Sequence, residues 1–310
     1  MDRLDCDRMF VAVMETGSFA KAALRLRVSS GQASKLISRL EEDLGVQLLN
    51  RTTRALSPTE IGQAYFDRMR SIIDDIEALD TAMRVSSTEP TGRLRVTAPG
   101  SFGATQLAPA LLDFAHRFPR IDFDVSFSDR VVSLVDEGFD AAVRIGLNAD
   151  TSLIARKLTE ARIVVVASHA YLAANPAPSE PADLRDHACI IDTNFKDPVR
   201  WRFQQDGARE PITIDVKGRL MMSSAEACLA AARRDLGITR IPSFMAGPDI
   251  TGGHLVPLLT SFEDKPLGVY VLYPPTRQLA PKVRALVDFL VERFKGEPAW
   301  DRGWIARRDA

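Results

Sequence analysis

Ser18-Phe-Ala-Lys-Ala-Ala-Leu-Arg-Leu-Arg-Val-Ser-Ser-Gly-Gln-Ala-Ser-Lys-Leu-Ile-Ser-Arg-Leu40, running on to Arg51-Thr-Thr-Arg54, reads as two short helices, a tight turn between them and a basic loop behind. Ser18 is a suitable N-cap, because its hydroxyl can accept from an orphan amide of the first turn. Ala22, Ala23 and Leu26 give the first helix a small, closely packable face. The break falls at Arg27-Val28. Ser29 opens the second helix, and Gln32 three residues on completes a capping box. Ala33, Ile37, Leu40 and Leu44 recur at spacings of 4, 3 and 4, which makes one apolar stripe. Off that stripe lie Ser30, Gln32, Ser34, Lys35, Ser38 and Arg39, short polar or cationic side chains that suit base edges and phosphates.

The charge pattern agrees. No Asp or Glu stands between Thr16 and Leu40, while Lys21, Arg25, Arg27, Lys35 and Arg39 all do. From Gly45 to Thr59 acids are again absent, and Arg51 and Arg54 appear. A solvated helix face usually mixes signs, whereas a face without acids suits a polyanion. The plainer reading is a packing unit whose cations merely face water.

The 310 residues are enough for two or three compact units. With 45% hydrophobic and 26% charged residues and a net charge of −1, bulk charge does not make the whole chain a polyanion binder. Any nucleic-acid surface must be local to the first 60 residues. The start, Met1-Asp-Arg-Leu-Asp, is acidic and unlike a signal peptide, and no run approaches the roughly 18 apolar residues of a membrane span. Cys6, Cys189 and Cys228 are few and odd in number, which fits a reducing cytoplasm. His116, His169, His187 and His254 are scattered without metal-ligand spacing. No cofactor or metal is expected.

Residues 3–16 read as a first helix carrying Leu4, Met9, Phe10 and Val13, with Gly17 as its C-terminal cap. Residues 46–57 read as a wing, and Pro58 as the start of the next helix. There Ile61, Tyr65, Met69, Ile72, Ile76, Leu79 and Met83 recur at spacings of 4, 4, 3, 4, 3 and 4. That is a heptad seam on roughly 45 Å of helix, and a second subunit is its expected cover. The alternative cover is the chain's own downstream domain. Residues 86–92 form a polar linker. Beyond it, strands over 94–98, 121–127, 141–145, 163–167, 212–220, 238–241 and 269–273 alternate with helices over 99–118, 131–138, 225–234 and 281–294. Such alternation predicts a largely parallel α/β sheet. In such sheets ligands gather where strand carboxyl ends meet helix starts, which points to Ser101, Phe102, Ser128 and Arg144.

Over nearly its whole length the chain resembles the LysR-type transcriptional regulators. The resemblance stands on Phe10-Val-Ala-Val-Met-Glu-Thr-Gly-Ser-Phe-Ala-Lys-Ala-Ala23, Ser34-Lys-Leu-Ile-Ser-Arg-Leu-Glu41, Leu44-Gly-Val-Gln-Leu-Leu-Asn-Arg51 and Leu56-Ser-Pro-Thr59. Downstream it rests on Ala167-Ser-His-Ala-Tyr-Leu172, Asp183-Leu-Arg-Asp-His187, Gly253-His-Leu-Val256 and Pro281-Lys-Val-Arg-Ala-Leu-Val-Asp-Phe-Leu290. It implies a winged helix-turn-helix (1–59), a dimerising linker helix (60–88), a hinge (89–92) and a two-lobed α/β sensor similar to periplasmic binding proteins. Lobe I would be 93–163 with 269–295, lobe II 164–268, and 296–310 a tail carrying Trp300 and Trp304. The tail is left open between docking on the sensor and assembly. The resemblance further implies double-stranded promoter DNA and a small effector as partners, and dimers that pair into homotetramers.

It carries base contact to Ser30, Gly31, Ser34 and Lys35, with Arg51 and Arg54 near phosphates. The candidate DNA surface is Ser18, Lys21, Ser29, Ser30, Gln32, Ser34, Lys35, Arg39, Arg51, Thr53 and Arg54. The chain departs from the family at Ser30-Gly31, where Gln and then Pro or Ser are frequent, and at Lys35, where Arg is frequent. Gly31 has no side chain to offer a base, so Gln32 or Ser34 is expected to supply part of the readout. Effector contacts are implied at Ser101, Ser128 and Arg144, and across the cleft near Thr193, Asn194 and Ser223. Hydroxyls and an Arg favour a small anion. Two alternatives remain open here: a redox-tuned regulator using Cys189 and Cys228, and a solute-binding or enzymatic domain with an incidental helical bundle. No nucleophile elbow, phosphate loop or paired-carboxylate motif supports an enzyme.

Overall fold

The computed structural model describes residues 2–51, 56–84, 90–130, 132–146, 152–205, 210–275 and 279–304. Helix α1 (Arg3–Thr16) stops on Gly17, which takes the left-handed conformation at φ 62°. Helix α2 (Phe19–Arg25) starts on Ser18, whose Oγ accepts from the Lys21 amide at 3.4 Å. Helix α3 (Ser30–Leu44) starts on Ser29, whose Oγ accepts from the Gln32 amide at 3.2 Å, and stops on Gly45 at φ 69°. The three close on Met9, Phe10, Ala22, Ala33, Ile37 and Leu40, all essentially without exposed surface. Each large apolar side chain so buried contributes about 1.5–3 kcal/mol.

Strands β1 (Leu49–Arg51) and β2 (Leu56–Pro58) pair antiparallel as the wing, with Asn50 opposite Ser57. Pro58 therefore closes a strand and does not open a helix, contrary to expectation. Thr59 does the capping: its Oγ1 accepts from the Gly62 amide at 2.9 Å, and α4 runs from Glu60 to Arg84. On the expected seam, Ile61 and Ile72 are exposed. Tyr65 departs from it. Its ring packs edge-on against Phe10 and its hydroxyl donates to Asp7 at 2.6 Å, so it serves the head. The side chains of Leu79 and Met83 lie outside the described residues.

Ion pairs join head, α4 and sensor. Glu15 meets Arg70 at 3.2 Å and Arg93 at 3.6 Å, and Asp124 meets Arg70 at 3.7 Å, Arg93 at 3.3 Å and Arg95 at 3.3 Å. Arg25 also pairs with Glu15, which withdraws it from the free cationic face.

The sensor begins with β3 (Gly92–Ala98), then α5 (Gly100–Phe102), a π-helical stretch (Gly103–Leu107) and α6 (Ala108–Arg117). Strands β4 (Ile121–Phe127) and β5 (Ala141–Ile145) follow. Between them residues 134–138 form turns, so the helix expected over 131–138 is not there; Val131 lies outside the described residues. Next come β6 (Ile154–Ala161), β7 (Ile163–Ser168), α7 (His169–Ala174), β8 (Cys189–Asp192) and the hairpin of β9 (Arg200–Phe203) with β10 (Ile212–Asp215). The chain continues through β11 (Leu220–Met222), α8 (Ala225–Arg233), β12 (Ile238–Pro242), α9 (Ser243–Thr251) and β13 (Leu255–Leu258). It ends with β14 (Leu267–Tyr273) and α10 (Pro281–Arg293). The single strand expected over 212–220 is two strands. Gly218 between them runs so close to β8 that an added Cβ would lie 1.6 Å from the Cys189 carbonyl oxygen.

Two five-stranded sheets result, one per lobe, ordered β4-β3-β5-β14-β6 and β11-β8-β12-β7-β13. Each has two parallel and two antiparallel pairings, which corrects the expectation of largely parallel sheets. Every antiparallel pairing involves β7 or β14, the strands that the chain enters after its two crossings between lobes, 161–163 and 258–267. The tail lies across both lobes. The Trp300 ring sits 6.0 Å from Phe102 of the first lobe and 6.1 Å from Phe244 of the second. Arg162, at the first crossing, lies 4.5 Å from the Trp304 ring and forms a bidentate pair with Glu263. Up to Trp304 the tail thus docks on the sensor; residues 305–310 lie outside the described residues. Among the described residues no helix is long and apolar enough to cross a membrane.

Candidate functional site

The head presents the start of α3 to solvent. Ser29, Ser30, Gly31, Lys35 and Arg39 are exposed, and Gln32 and Ser34 are half-buried. Ser18 and Ser29 lend their hydroxyls to helix caps, and Ser30, Gln32 and Ser34 follow on the first turns of α3. Lys21 and Lys35 form no ion pair among the described residues. Glu41 is a positioning residue that sequence reading treated only as part of a motif. Its Oε1 accepts from the Leu48 and Leu49 amides at 2.9 and 3.1 Å, tying the end of α3 to the wing. Arg51 stands in β1 with its side chain outside the described residues, and Thr53 and Arg54 lie outside them altogether.

The second site is a cavity of about 280 Å³ between the lobes. Ser101, Ser128, Asp129, Arg144 and Ile145 line it from the first lobe, and Asp192, Asn194, Phe195, Ala225 and Phe244 from the second. Strand carboxyl ends place them: Ser128 follows β4, Arg144 is the last residue but one of β5 and Asp192 ends β8. Ser101 is not a cap, because the N-cap of α5 is Pro99. The Ser128 Oγ accepts from the Arg130 amide at 3.2 Å and keeps its own proton to donate. Arg144 does not pair with Asp140, which instead meets Lys282 at 3.2 Å. The Arg144 Nη1 donates to the Val143 carbonyl at 2.9 Å, and its Nη2 is buried without an acceptor. Burial lowers the Arg144 pKa, and nearby Asp129 only partly offsets this.

Three expected effector contacts fall elsewhere. Phe102 is fully buried between Phe244, Phe294 and Trp300, so it supports the wall from behind and does not face the cavity. Thr193 and Ser223 are exposed and off the cavity wall, although the Ser223 carbonyl accepts from the Asn194 side chain at 3.0 Å. Conversely, Asp129, Asp192, Phe195 and Phe244 line the cavity without having been named. The strand-end rule that found Ser128 and Arg144 applies equally to Asp192. Cys189 and Cys228 are 2% and 0% exposed, and burial pushes both thiols up to about 12. Thiols so protonated are poor nucleophiles, which speaks against a redox role.

A wing beside a helix whose exposed first turns, up to Leu40, carry no acid, joined by a long helix to a two-lobed domain with a polar cleft, defines a DNA-binding regulator with a ligand-binding domain. Residues 7–63 match the family described as bacterial regulatory helix-turn-helix protein, lysR family, and residues 87–295 match the LysR substrate binding domain. The chain belongs to the LysR family of transcriptional regulators. It is 35% identical over 289 residues to the HTH-type transcriptional regulator PtxR of Pseudomonas aeruginosa, covering 93% of this chain and 92% of that one. The solved structure of CrgA, a LysR-type transcriptional regulator from Neisseria meningitidis, is 32% identical with a TM-score of 0.61, covering 94% of this chain and 99% of that one. The full-length structure of AphB, a virulence activator of Vibrio cholerae, is 26% identical with a TM-score of 0.61, covering 95% of this chain and 100% of that one. These relatives are regulators and not enzymes.

Proposed function

We propose that this regulator binds promoter DNA through α3 and the wing, and that a small molecule carrying a carboxylate or other anion tunes it from the interlobe cleft. Ser30, Gln32 and Ser34 read base edges, Lys35, Lys21 and Arg39 meet phosphates, and Arg51, Thr53 and Arg54 extend the contact along the wing. Two heads are held in register by pairing of α4, whose Ile61 and Ile72 are exposed, and dimers pair into tetramers in the cytoplasm. The observation that carries the effector reading is the buried, acceptor-less Nη2 of Arg144 on the cavity wall. A buried guanidinium donor without an acceptor is costly, and an anion seated there relieves it with a charge-assisted hydrogen bond. A ligand that touches both lobes favours one interlobe angle in proportion to its differential affinity, and so changes how the heads sit on DNA.

The test is footprinting on the intergenic region beside the chain's own gene, with small organic acids added. The wild-type footprint should change with an acid. Arg144→Gln should keep the footprint and lose the change. An unchanged response in Arg144→Gln would overturn the effector reading, and absence of any protected duplex would overturn the DNA reading.

A further inference from the structure

The cleft holds two charges of opposite sign that do not neutralise each other. Arg144 has one guanidinium nitrogen without an acceptor. Asp192, at the end of β8, is 6% exposed; its Oδ1 accepts from the Asn194 amide at 2.9 Å, and no cation pairs with it among the described residues. Asp129, exposed on the same cavity, accepts from the Gly100 amide at 3.2 Å and likewise has no ion-pair partner there. Among the described residues Arg240 is the cation whose field most steadies the Asp192 carboxylate. Its guanidinium lies 4.1 Å from the Phe195 ring and 5.5 Å from the Trp201 ring, and it donates to the Arg200 and Asp197 carbonyls at 3.4 Å. Burial disfavours the charged form of Arg144 and, with Asp129 adding repulsion, also that of Asp192.

An anion alone would relieve Arg144 but add repulsion against Asp129 and Asp192. A cation alone would do the reverse. We propose that the effector is amphoteric, an amino-acid-like molecule whose carboxylate meets Arg144, Ser101 and Ser128 while its ammonium group meets Asp192 and Asp129. This rests on the reading of the cleft as the effector site, and adds to it the second charge and the wall that receives it. Asn194, held by its side-chain bond to the Ser223 carbonyl, keeps the acidic wall in place.

Calorimetry on the full-length protein tests this with glycine, β-alanine, γ-aminobutyrate, ε-aminocaproate, glutamine and lysine. Each is compared with the matched acid lacking the amine and the matched amine lacking the acid. At least one amino acid should bind about tenfold or more tightly than both of its matched partners. Asp192→Asn should erase that gain while leaving the matched acid bound as well as before or better; Asp129→Asn, at an exposed position, should reduce the gain without burdening the fold. Arg144→Gln should weaken acid and amino acid alike. The proposal is overturned if no amino acid outbinds its matched acid, or if Asp192→Asn keeps the whole advantage. Acids that bind equally well to Arg144→Gln would overturn the underlying effector reading instead, so the two failures are separable.

Discussion

The two halves of this chain build their cores in opposite ways. The buried members of the head's cluster all lie within residues 6–49, and four of them are the alanines Ala12, Ala22, Ala23 and Ala33. The largest cluster of the sensor runs from Leu94 to Trp304 and is shared by both lobes and the tail, while smaller ones, such as that of Val165, Trp201 and Leu258, stay within one lobe. The head is therefore assembled by neighbours in sequence, and the sensor by segments that meet only after the chain has crossed twice between lobes. Their functional surfaces differ in the same sense. The head offers an exposed helix start with no acid nearby, whereas the cleft sets buried charges of both signs around a cavity.

The sharpest challenge to this contrast is at Trp300. Its ring touches Phe102 of one lobe and Phe244 of the other, and its carbonyl accepts from Trp304 Nε1 at 2.9 Å. Trp300→Ala should cost the sensor about 3–5 kcal/mol. All three tryptophans, Trp201, Trp300 and Trp304, lie in the sensor, so the fluorescence of the remaining two during urea unfolding reports on it alone. DNA binding at a temperature below that transition reports on the head, and it should hold. If head and sensor lost stability together, the cores would not be separate. Trp300→Phe keeps a ring and removes the buried Nε1 that has no acceptor, and should cost much less.

How much could be read in advance follows the same division. Ser18, Ser29 and Gly17 act where the residue spacing places them, because caps are settled within one turn of chain. The sensor's first strands were also legible, since β3 and β4 alternate and β5 is a short apolar run, although the helix expected between β4 and β5 is a set of turns. Strand β6 was not, because Arg156, Lys157 and Glu160 hide its alternation on a sheet edge. Helix α9 was not, because Gly247 and Pro248 interrupt it. Gly247 is there for the tail: an added Cβ would lie 2.1 Å from the Trp300 carbonyl oxygen, a contact 53 residues away in sequence. Phe102 was placed at the cleft by its position after β3 and proved to face the shared core, since one helix turn presents both directions. Only packing decides which side chain takes which.

A smaller effect concerns the buried thiols. Cys189 and Cys228 sit at about 12 against an ordinary 9.0, so unfolded thiols lose protons before folded ones do. Between pH 9 and about 12 the folded sensor holds more protons than the unfolded chain, and its stability falls as pH rises. Well below pH 9 neither thiol contributes an appreciable slope. One pH unit into the window the loss is about 1 kcal/mol per thiol. Cys228→Ala should lessen the alkaline slope of the sensor transition, leaving the share of Cys189. A slope unaltered by that change would mean the thiol is not buried in solution. Peroxide at neutral pH should likewise leave DNA binding as it was, since neither thiol presents a thiolate.

The gentlest perturbation, Lys35→Ala, tests the head as an electrostatic surface. Lys35 is exposed on α3 with no ion pair among the described residues, so its removal breaks no internal contact. Operator affinity should fall about tenfold at physiological salt, and the slope of log affinity against log salt should shrink by roughly one. Ligand affinity and the sensor transition should be unchanged. Gly31 nearby has open space where a Cβ would go, so Gly31→Ala should be tolerated by the fold and serves as a control for disturbance of α3. If Lys35→Ala lowered affinity without changing the salt slope, Lys35 would be acting on a base edge and not on a phosphate. If it also shifted ligand affinity, the head and the cleft would be coupled even without DNA, with the Glu15, Arg70, Arg93 and Asp124 ion pairs as the route between them.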